Sequence, residues 1–250
     1  MAASRREFLA IAAQGVLMAA ETPLPQLEHI KLRVVNSGVS ALFYHSLFGG
    51  ELRLLHNSTL ASQTRVDEVF LKVGAATFPY LMFASLRDGE TPGLDHIAIL
   101  ADPAAAREAA VRAGGRLVDP DGYGLRVNDV DGTMIEVMNQ PTWRSIPPIV
   151  GRTEPSNWKG IRPAFEPVEV RSVSLGTNDA AKAASFYRTI FGGAPRLQFR
   201  SGPGGLARLE IAIRPADARK ILEGRGIPTY GSDNEILFKD PDGNEIGVVF

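Results

Sequence analysis

The chain has 250 residues, 44% hydrophobic and 22% charged, enough apolar side chains for one large core or two smaller ones. A net charge of −1, with no basic block through its body, argues against a nucleic-acid or anionic-membrane partner. There is no cysteine, so disulfides, thiolate metal sites and cysteine nucleophiles are excluded.

Ser4-Arg5-Arg6-Glu7-Phe8-Leu9 matches the twin-arginine export pattern, and a modest apolar run continues to Ala20. Gln14 and Gly15 interrupt that run, which is too short to span a bilayer. Residues 1–20 are therefore read as an export signal, which predicts a periplasmic or secreted protein without stable membrane anchoring. The competing reading is an amphipathic N-terminal helix.

From Leu27 to Val35 the pattern is that of a strand. Asn36-Ser37 then precedes a helical spacing over Val39–Phe48, stopped by Gly49-Gly50. Glu51–Gly93 leaves room for three strands. A second unit follows, with a strand over His96–Leu100, a helix over Pro103–Ala113 and a stop at Gly114-Gly115. Its closing strands, Gly124–Asn128 and Met134–Met138, flank the turn Asp129-Val130-Asp131-Gly132, a strong hairpin signal. Gln140–Pro167 lacks periodicity and reads as a linker (residues 140–167) that Trp143 and Trp158 pin to the surface.

The second half repeats the first. Val170–Gly176 is a strand and Ala180–Phe191 a helix ending at Gly192-Gly193. The phrases Phe43-Tyr44-His45-Ser46-Leu47-Phe48-Gly49-Gly50 and Phe186-Tyr187-Arg188-Thr189-Ile190-Phe191-Gly192-Gly193 say the same thing twice. Ala194–Ala207 has room for about one strand where the first half has three, so the third unit is truncated. Glu210–Ile213, a helix over Ala216–Glu223, and two strands around Asp240-Pro241-Asp242-Gly243 complete the chain. The expectation is an α+β protein of four βαβββ-type modules in two pairs, each pair a curved mixed sheet with helices outside. The pairs cover residues 27–139 and 168–250.

Three residues carry the chemistry. His29 and His96 stand in near-copies of one phrase, Leu27-Glu28-His29-Ile30 and Leu94-Asp95-His96-Ile97, read as alternating strands. Glu136 lies on the strand that closes the second unit. Two imidazoles and a carboxylate at equivalent points of repeated units suit a divalent cation of borderline hardness. A lone histidine of this kind is more often an ordinary strand residue; the repetition singles these out.

Paired βαβββ units, a histidine on each opening strand and a closing Asp-x-Asp-Gly-x-x-x-Glu resemble the vicinal oxygen chelate superfamily. That group includes glyoxalase I, bleomycin-resistance proteins and extradiol dioxygenases. The resemblance puts metal ligands at His29, His96 and Glu136, for one divalent ion among Fe, Mn, Zn, Ni and Co. It also aligns Ser172 with His29, Glu210 with His96 and Gly247 with Glu136, which makes the second half a degenerate, metal-free copy. It implies a metal-dependent lyase or isomerase, or a dioxygenase, acting on a small substrate that chelates through adjacent oxygens. The alternative is a ligand-sequestering protein like those of bleomycin resistance.

Departures from the relatives matter too. No carboxylate or imidazole lies in Phe78–Phe83, where glyoxalase I takes its fourth ligand. Arg126 replaces the dioxygenase tyrosine, and Gly114–Leu125 holds no histidine. Glyoxalase-like chemistry is therefore placed ahead of ring cleavage. Tyr80, Tyr123 and Arg126 are the further pocket candidates. His45 reads as a solvated helix position, His56 as a strand terminus, and the repeated Tyr44 and Tyr187 as packing residues.

Overall fold

The computed structural model describes residues 25–54, 68–76, 78–118, 125–143, 160–193, 196–214 and 216–250. Residues 1–24, with the export pattern, lie outside this set, as do His56, Tyr123 and Trp158.

The first half runs β1 (Gln26–Val34), α1 (Ser37–Phe48), β2 (Glu51–Leu54), β3 (Glu68–Lys72), β4 (Tyr80–Ser85), β5 (Gly93–Leu100), α2 (Pro103–Arg112), β6 (Arg116–Val118), β7 (Leu125–Asn128) and β8 (Met134–Met138). Its strands form one curved mixed sheet of eight, ordered β2-β3-β4-β1-β5-β8-β7-β6. The second half runs β9 (Pro167–Thr177), α3 (Ala180–Phe191), β10 (Leu197–Ser201), β11 (Gly205–Ile213), α4 (Ala218–Gly224), β12 (Tyr230–Ser232), β13 (Glu235–Lys239) and β14 (Glu245–Val249). These strands form a six-stranded sheet, β10-β9-β11-β14-β13-β12.

Local chemistry sets the helix ends. The Asn36, Asp102 and Asp179 side chains accept from Val39, Ala104 and Lys182 N–H groups, at 3.1, 2.9 and 3.0 Å, satisfying donors that a first turn leaves open. Gly192 closes α3 in the left-handed region, as its position predicts. Gly50 has a different reason to be glycine: a Cβ there would meet the Lys72 carbonyl oxygen at 2.1 Å.

Strand alternation sorts the first sheet into two faces. Ile30 and Leu32 of β1, Leu81 and Phe83 of β4, Ile97 and Ile99 of β5, and Ile135 and Val137 of β8 join one core with α1 and α2 residues. The opposite face, turned away from the helices, carries Phe70, Tyr80, Met82, Ala98, Leu100 and Met138, with Trp143 packed over them. His29, His96 and Glu136 stand on this second face. Trp143 pins the start of the linker as expected, its ring 4.9 Å from that of Tyr80 and under the Arg53 guanidinium at 4.3 Å.

The repeated phrases turn out to be partners. Tyr44 of α1 donates to Asp240 in the second hairpin turn (2.9 Å), and Tyr187 of α3 donates to Asp129 in the first (3.1 Å). Each helix tyrosine thus clasps the Asp-x-Asp-Gly turn of the other half. Ser40 reinforces one clasp by donating to Asp242 at 2.6 Å, and Thr177 the other by donating to Asp131.

Among the described residues one strand, β10, separates α3 from β11, where three separate α1 from β5. β10 pairs parallel to β9 as β4 pairs parallel to β1, so the missing strands are the counterparts of β2 and β3. β11 starts at Gly205, five residues before the expected Glu210, and a bulge at Ala207 breaks the alternation of its first residues. No described helix is long and apolar enough to cross a membrane.

Candidate metal centre

Glu28 and His29 sit between two core residues, Leu27 and Ile30, and strict alternation cannot place both on one face. A β-bulge resolves the conflict. Leu27 pairs with Ile99 and His29 with Ala98, so Glu28 is an extra residue in β1. Likewise Lys31 pairs with His96 and Leu32 with Leu94, leaving Asp95 extra in β5. A bulge re-aims the side chains around it, and here it turns each acid and its following histidine to the same side. The expectation of simple alternation in these two phrases is corrected: the Leu-acid-His-Ile pattern is a bulge signal in both strands.

Register then assembles the site. One row across the sheet carries Tyr80, His29, Ala98, Glu136 and Arg126, from β4, β1, β5, β8 and β7. Ala98 lies between His29 and Glu136 on this row, and its methyl group leaves room between them. His96 Nε2 comes within 3.0 Å of His29 Nε2 and 3.3 Å of Glu136 Oε2, with 4.0 Å between His29 Nε2 and Glu136 Oε2. All three residues are buried.

Each imidazole has its other nitrogen committed. His29 Nδ1 bonds the Glu28 carboxylate, and His96 Nδ1 lies 3.0 Å from Asp95. With both Nδ1 atoms donating to carboxylates, the two Nε2 atoms present lone pairs to one another and need a proton or a cation between them. Glu28 in turn accepts from the Thr142 N–H (2.8 Å) and hydroxyl (3.0 Å) and from the Tyr80 hydroxyl (2.9 Å). Asp95 accepts from Arg33 at 2.7 Å and faces Lys31 at 3.7 Å.

The charges follow from this packing. Burial pushes the Glu136 carboxyl up, but the His96 hydrogen bond and charge, with His29 and Arg126 beyond, outweigh it and bring it down to about 2. Asp95 is lowered in the same way, burial being outweighed by His96, Lys31 and Arg33. Glu28, although buried, is lowered by His29, Tyr80 and Thr142. Burial pulls His96 down, and Asp95 and Glu136 reverse this, leaving it above the usual histidine value. Burial, then the Glu28 charge, raises the Tyr80 hydroxyl far above its ordinary range, so it stays a proton donor.

Two histidine nitrogens and a carboxylate fit a divalent ion, one not distinguished by this donor set among Mn, Fe, Co, Ni and Zn. Metal–ligand bonds of roughly 2.0–2.2 Å at near right angles put donors about 3 Å apart. The 3.0 and 3.3 Å edges meet this, and the 4.0 Å edge asks for a small rotation of the Glu136 carboxylate.

Of the other sequence candidates, Tyr80 stacks on His29 (ring centroids 5.3 Å apart) and reaches Glu28, and Arg126 donates to Glu136 at 3.3 Å. Both therefore act on ligands and not between them. Tyr123 and His56 lie outside the described residues. His45 sits in the last turn of α1, the helix that packs on the opposite face of the sheet. Alternation alone does not single out Glu28 and Asp95; their signal is an acid–histidine pair between apolar residues, which occurs in both phrases.

The second sheet needs a correction. Ser172 pairs with Glu210 as His29 pairs with Ala98, and Ser174 pairs with Arg208 as Lys31 pairs with His96. Arg208, not Glu210, therefore occupies the His96 position, and Glu210 the Ala98 position. Gly247 opposes Glu210 as Glu136 opposes Ala98. Arg208 bonds Glu245 at 2.6 Å and also Glu235, while Glu210 accepts from Ser172 (2.5 Å) and Arg200 (3.3 Å).

No protein-family model matches the chain, and no curated protein matches it. Solved structures do. The 2,3-dioxygenase LapB from Pseudomonas sp. KL28 matches with TM-score 0.58 and 15% identity, over 90% of this chain and 91% of that one. A variant of homoprotocatechuate 2,3-dioxygenase from B. fuscum matches with TM-score 0.61 and 16% identity, over 92% of this chain and 73% of that one. A Mn(II)-bound glyoxalase from Novosphingobium aromaticivorans matches with TM-score 0.61 and 16% identity, over 90% of this chain and 82% of that one. The fold is that of the vicinal oxygen chelate proteins.

Proposed function

We propose that this chain is a divalent-metal-dependent enzyme of the glyoxalase/dioxygenase type, with His29, His96 and Glu136 as the metal ligands. The observation that carries this reading is the convergence of two histidine Nε2 atoms and a carboxylate at 3.0–4.0 Å, with both Nδ1 atoms already committed to acids. The likeness to dioxygenase and glyoxalase folds supports it, and the glyoxalase from Novosphingobium aromaticivorans is Mn(II)-bound. When bound, the metal supplies a Lewis acid that polarises a substrate carbonyl or holds two adjacent oxygens.

The protein's own residues then do the rest. Three donors from three neighbouring strands leave further coordination positions to substrate or water. Arg126 orients Glu136, and the apolar wall of Phe70, Met82, Met138 and Trp143 excludes water from one side of the cup. The Tyr80 hydroxyl, held on Glu28, is a poor base. The substrate is a small molecule with vicinal oxygens; lyase or isomerase chemistry leads, because Arg126 stands where the dioxygenase tyrosine would be. Residues 27–139 form the unit that carries the site and 168–250 a metal-free partner, joined by 140–167. Export by the twin-arginine route completes the reading, and Arg5→Lys with Arg6→Lys should then block periplasmic recovery.

The test is elemental analysis of protein purified from its own host, followed by a screen of vicinal-oxygen substrates with each candidate metal. One metal per chain and metal-dependent turnover are expected. Iron-dependent oxygen uptake with a catechol reverses the ranking of the two chemistries. Equal ligand binding by the metal-stripped protein, with no turnover under any metal, overturns the enzyme reading in favour of sequestration.

A further inference from the structure

The two bulge acids are held in unlike ways. Glu28 is fully buried, and besides His29 it accepts from neutral donors: the Tyr80 hydroxyl, the Thr142 hydroxyl and the Thr142 backbone N–H. Asp95 is held by two cations, Lys31 and Arg33. Both acids accept from a histidine Nδ1, the arrangement that fixes an imidazole's tautomer and leaves Nε2 free for a metal.

We infer that Glu28 and Asp95 are positioning residues for the metal ligands, and that Glu28 is the stronger of the two. The inference rests on the proposed metal site and adds an order of importance to residues around it. Its first ground is charge. Neutral donors leave the Glu28 carboxylate a full negative charge to place against His29, whereas Lys31 and Arg33 offset that of Asp95. Its second ground is rigidity. The Thr142 N–H belongs to the backbone and can only donate, so in Glu28→Gln it retains the amide oxygen. The amide NH2 is then turned toward His29 Nδ1, which favours the Nε2–H tautomer and removes the lone pair a metal needs. In Asp95→Asn the competing donors are partly exposed side chains that can swing aside, Arg33 retaining its pair with Glu90. The amide can turn its oxygen to His96 Nδ1–H and keep the metal-binding tautomer. Thr142, at the start of the linker, thereby ties that segment to the site.

The experiment measures Zn2+ affinity of the full chain by competition with a chromophoric chelator, for wild type, Glu28→Gln, Asp95→Asn and His96→Ala. Loss of an outer hydrogen-bond partner typically weakens metal binding by about 10- to 100-fold. Glu28→Gln is expected in that range and Asp95→Asn below it. Long-range 1H–15N spectra of the metal-free wild type should show both histidines protonated at Nδ1, a readout that a purely packing role would not produce and that stands whether or not Glu28→Gln folds. Wild type and Glu28→Gln with equal affinity, or a His29 that carries no proton on Nδ1 in the metal-free wild type, overturn the inference alone. A wild type without Zn2+ affinity, or one matched by His96→Ala, overturns the metal site itself.

Discussion

The two sheets offer the same row of positions, filled with opposite chemistry. On the first, His29 and Glu136 flank Ala98 and, with His96, leave lone pairs facing a gap. On the second, Ser172, Glu210 and Gly247 take those places, and Arg208 replaces His96. An arginine is always protonated and has no lone pair to give, so this face lacks the donor that His96 presents on the first. Its ion pairs with Glu235 and Glu245 close the row on itself. Even the bulges are kept: Arg171 and Ala207 are the extra residues where Glu28 and Asp95 stand in the first sheet. The scaffold therefore supplies positions, and residue type alone decides whether they form a site.

The largest effect that separates the sheets is on metal content. His96→Ala should lower Zn2+ affinity by more than the roughly 10- to 100-fold expected for an outer partner, because it removes a direct donor. Arg208→Ala, its structural counterpart, and Glu210→Ala should leave metal stoichiometry unchanged. Metal loss in Arg208→Ala with the fold intact would break the comparison.

Stability should show the reverse order. Arg208→Met removes the cation that Glu235 and Glu245 share, while Glu245 keeps Lys239 at 4.0 Å and the Tyr230 hydroxyl at 2.9 Å. Breaking a fully buried pair costs about 3–5 kcal/mol, but these carboxylates are partly exposed and water screens them. A loss of roughly 1–3 kcal/mol in urea denaturation is expected, with metal affinity retained. An unchanged midpoint would show that the network contributes little.

The clasps between the halves make the next comparison. Asp240 accepts from the Asn244 side chain (2.9 Å) as well as from Tyr44, whereas the buried hydroxyl of Thr133 at the equivalent position makes no hydrogen bond to Asp129. Tyr187→Phe therefore leaves its buried acceptor less satisfied than Tyr44→Phe does. Losses of about 1–3 and about 1 kcal/mol respectively are expected from the cost of stranded against shared hydrogen bonds. Equal losses would mean that Asn244 does not substitute for the tyrosine.

How much of this was legible follows from the type of signal. The repeated Phe-Gly-Gly and Asp-x-Asp-Gly phrases gave away the duplication and the hairpins, because caps and turns are local. Alternation placed His29, His96 and Glu136 on opening and closing strands, but it could not reveal that Glu28 and Asp95 share their face. A bulge is decided by pairing with a strand about 67 residues away, as the His29–His96 separation shows. Placing Arg208 instead of Glu210 at the position of His96 has the same origin, since it depends on strand pairing that the linear sequence does not show. The tyrosine–aspartate clasps were invisible for a related reason. Each joins two repeated motifs that lie 58 or 196 residues apart in sequence.

The smallest effect is a pH dependence of the clasps. Asp129 and Asp240 are pushed above the ordinary carboxylate value, first by burial and also by Asp131 and Asp242 beside them, while hydrogen bonds from the turn and the tyrosines oppose the shift. A carboxyl raised in the folded state ionises less readily there than in the unfolded chain. Its contribution to stability is thus fully present below the unfolded value of about 3.9 and is lost as pH rises through the folded one. Asp129→Asn removes this titration while keeping an oxygen for the N–H groups of Asp131 and Thr133, which Asp129 now accepts at 2.9 and 2.8 Å. The amide NH2 then meets the Tyr187 oxygen, which is able to accept. The difference in unfolding free energy between wild type and variant should move in favour of the variant as pH rises above about 3.9, then level off once the folded carboxyl is ionised. Urea denaturation at closely spaced pH values measures it. A difference that stays flat, or moves toward the wild type over that window, would show that the hydrogen bonds outweigh burial and that the clasp aspartates are held as stabilised anions.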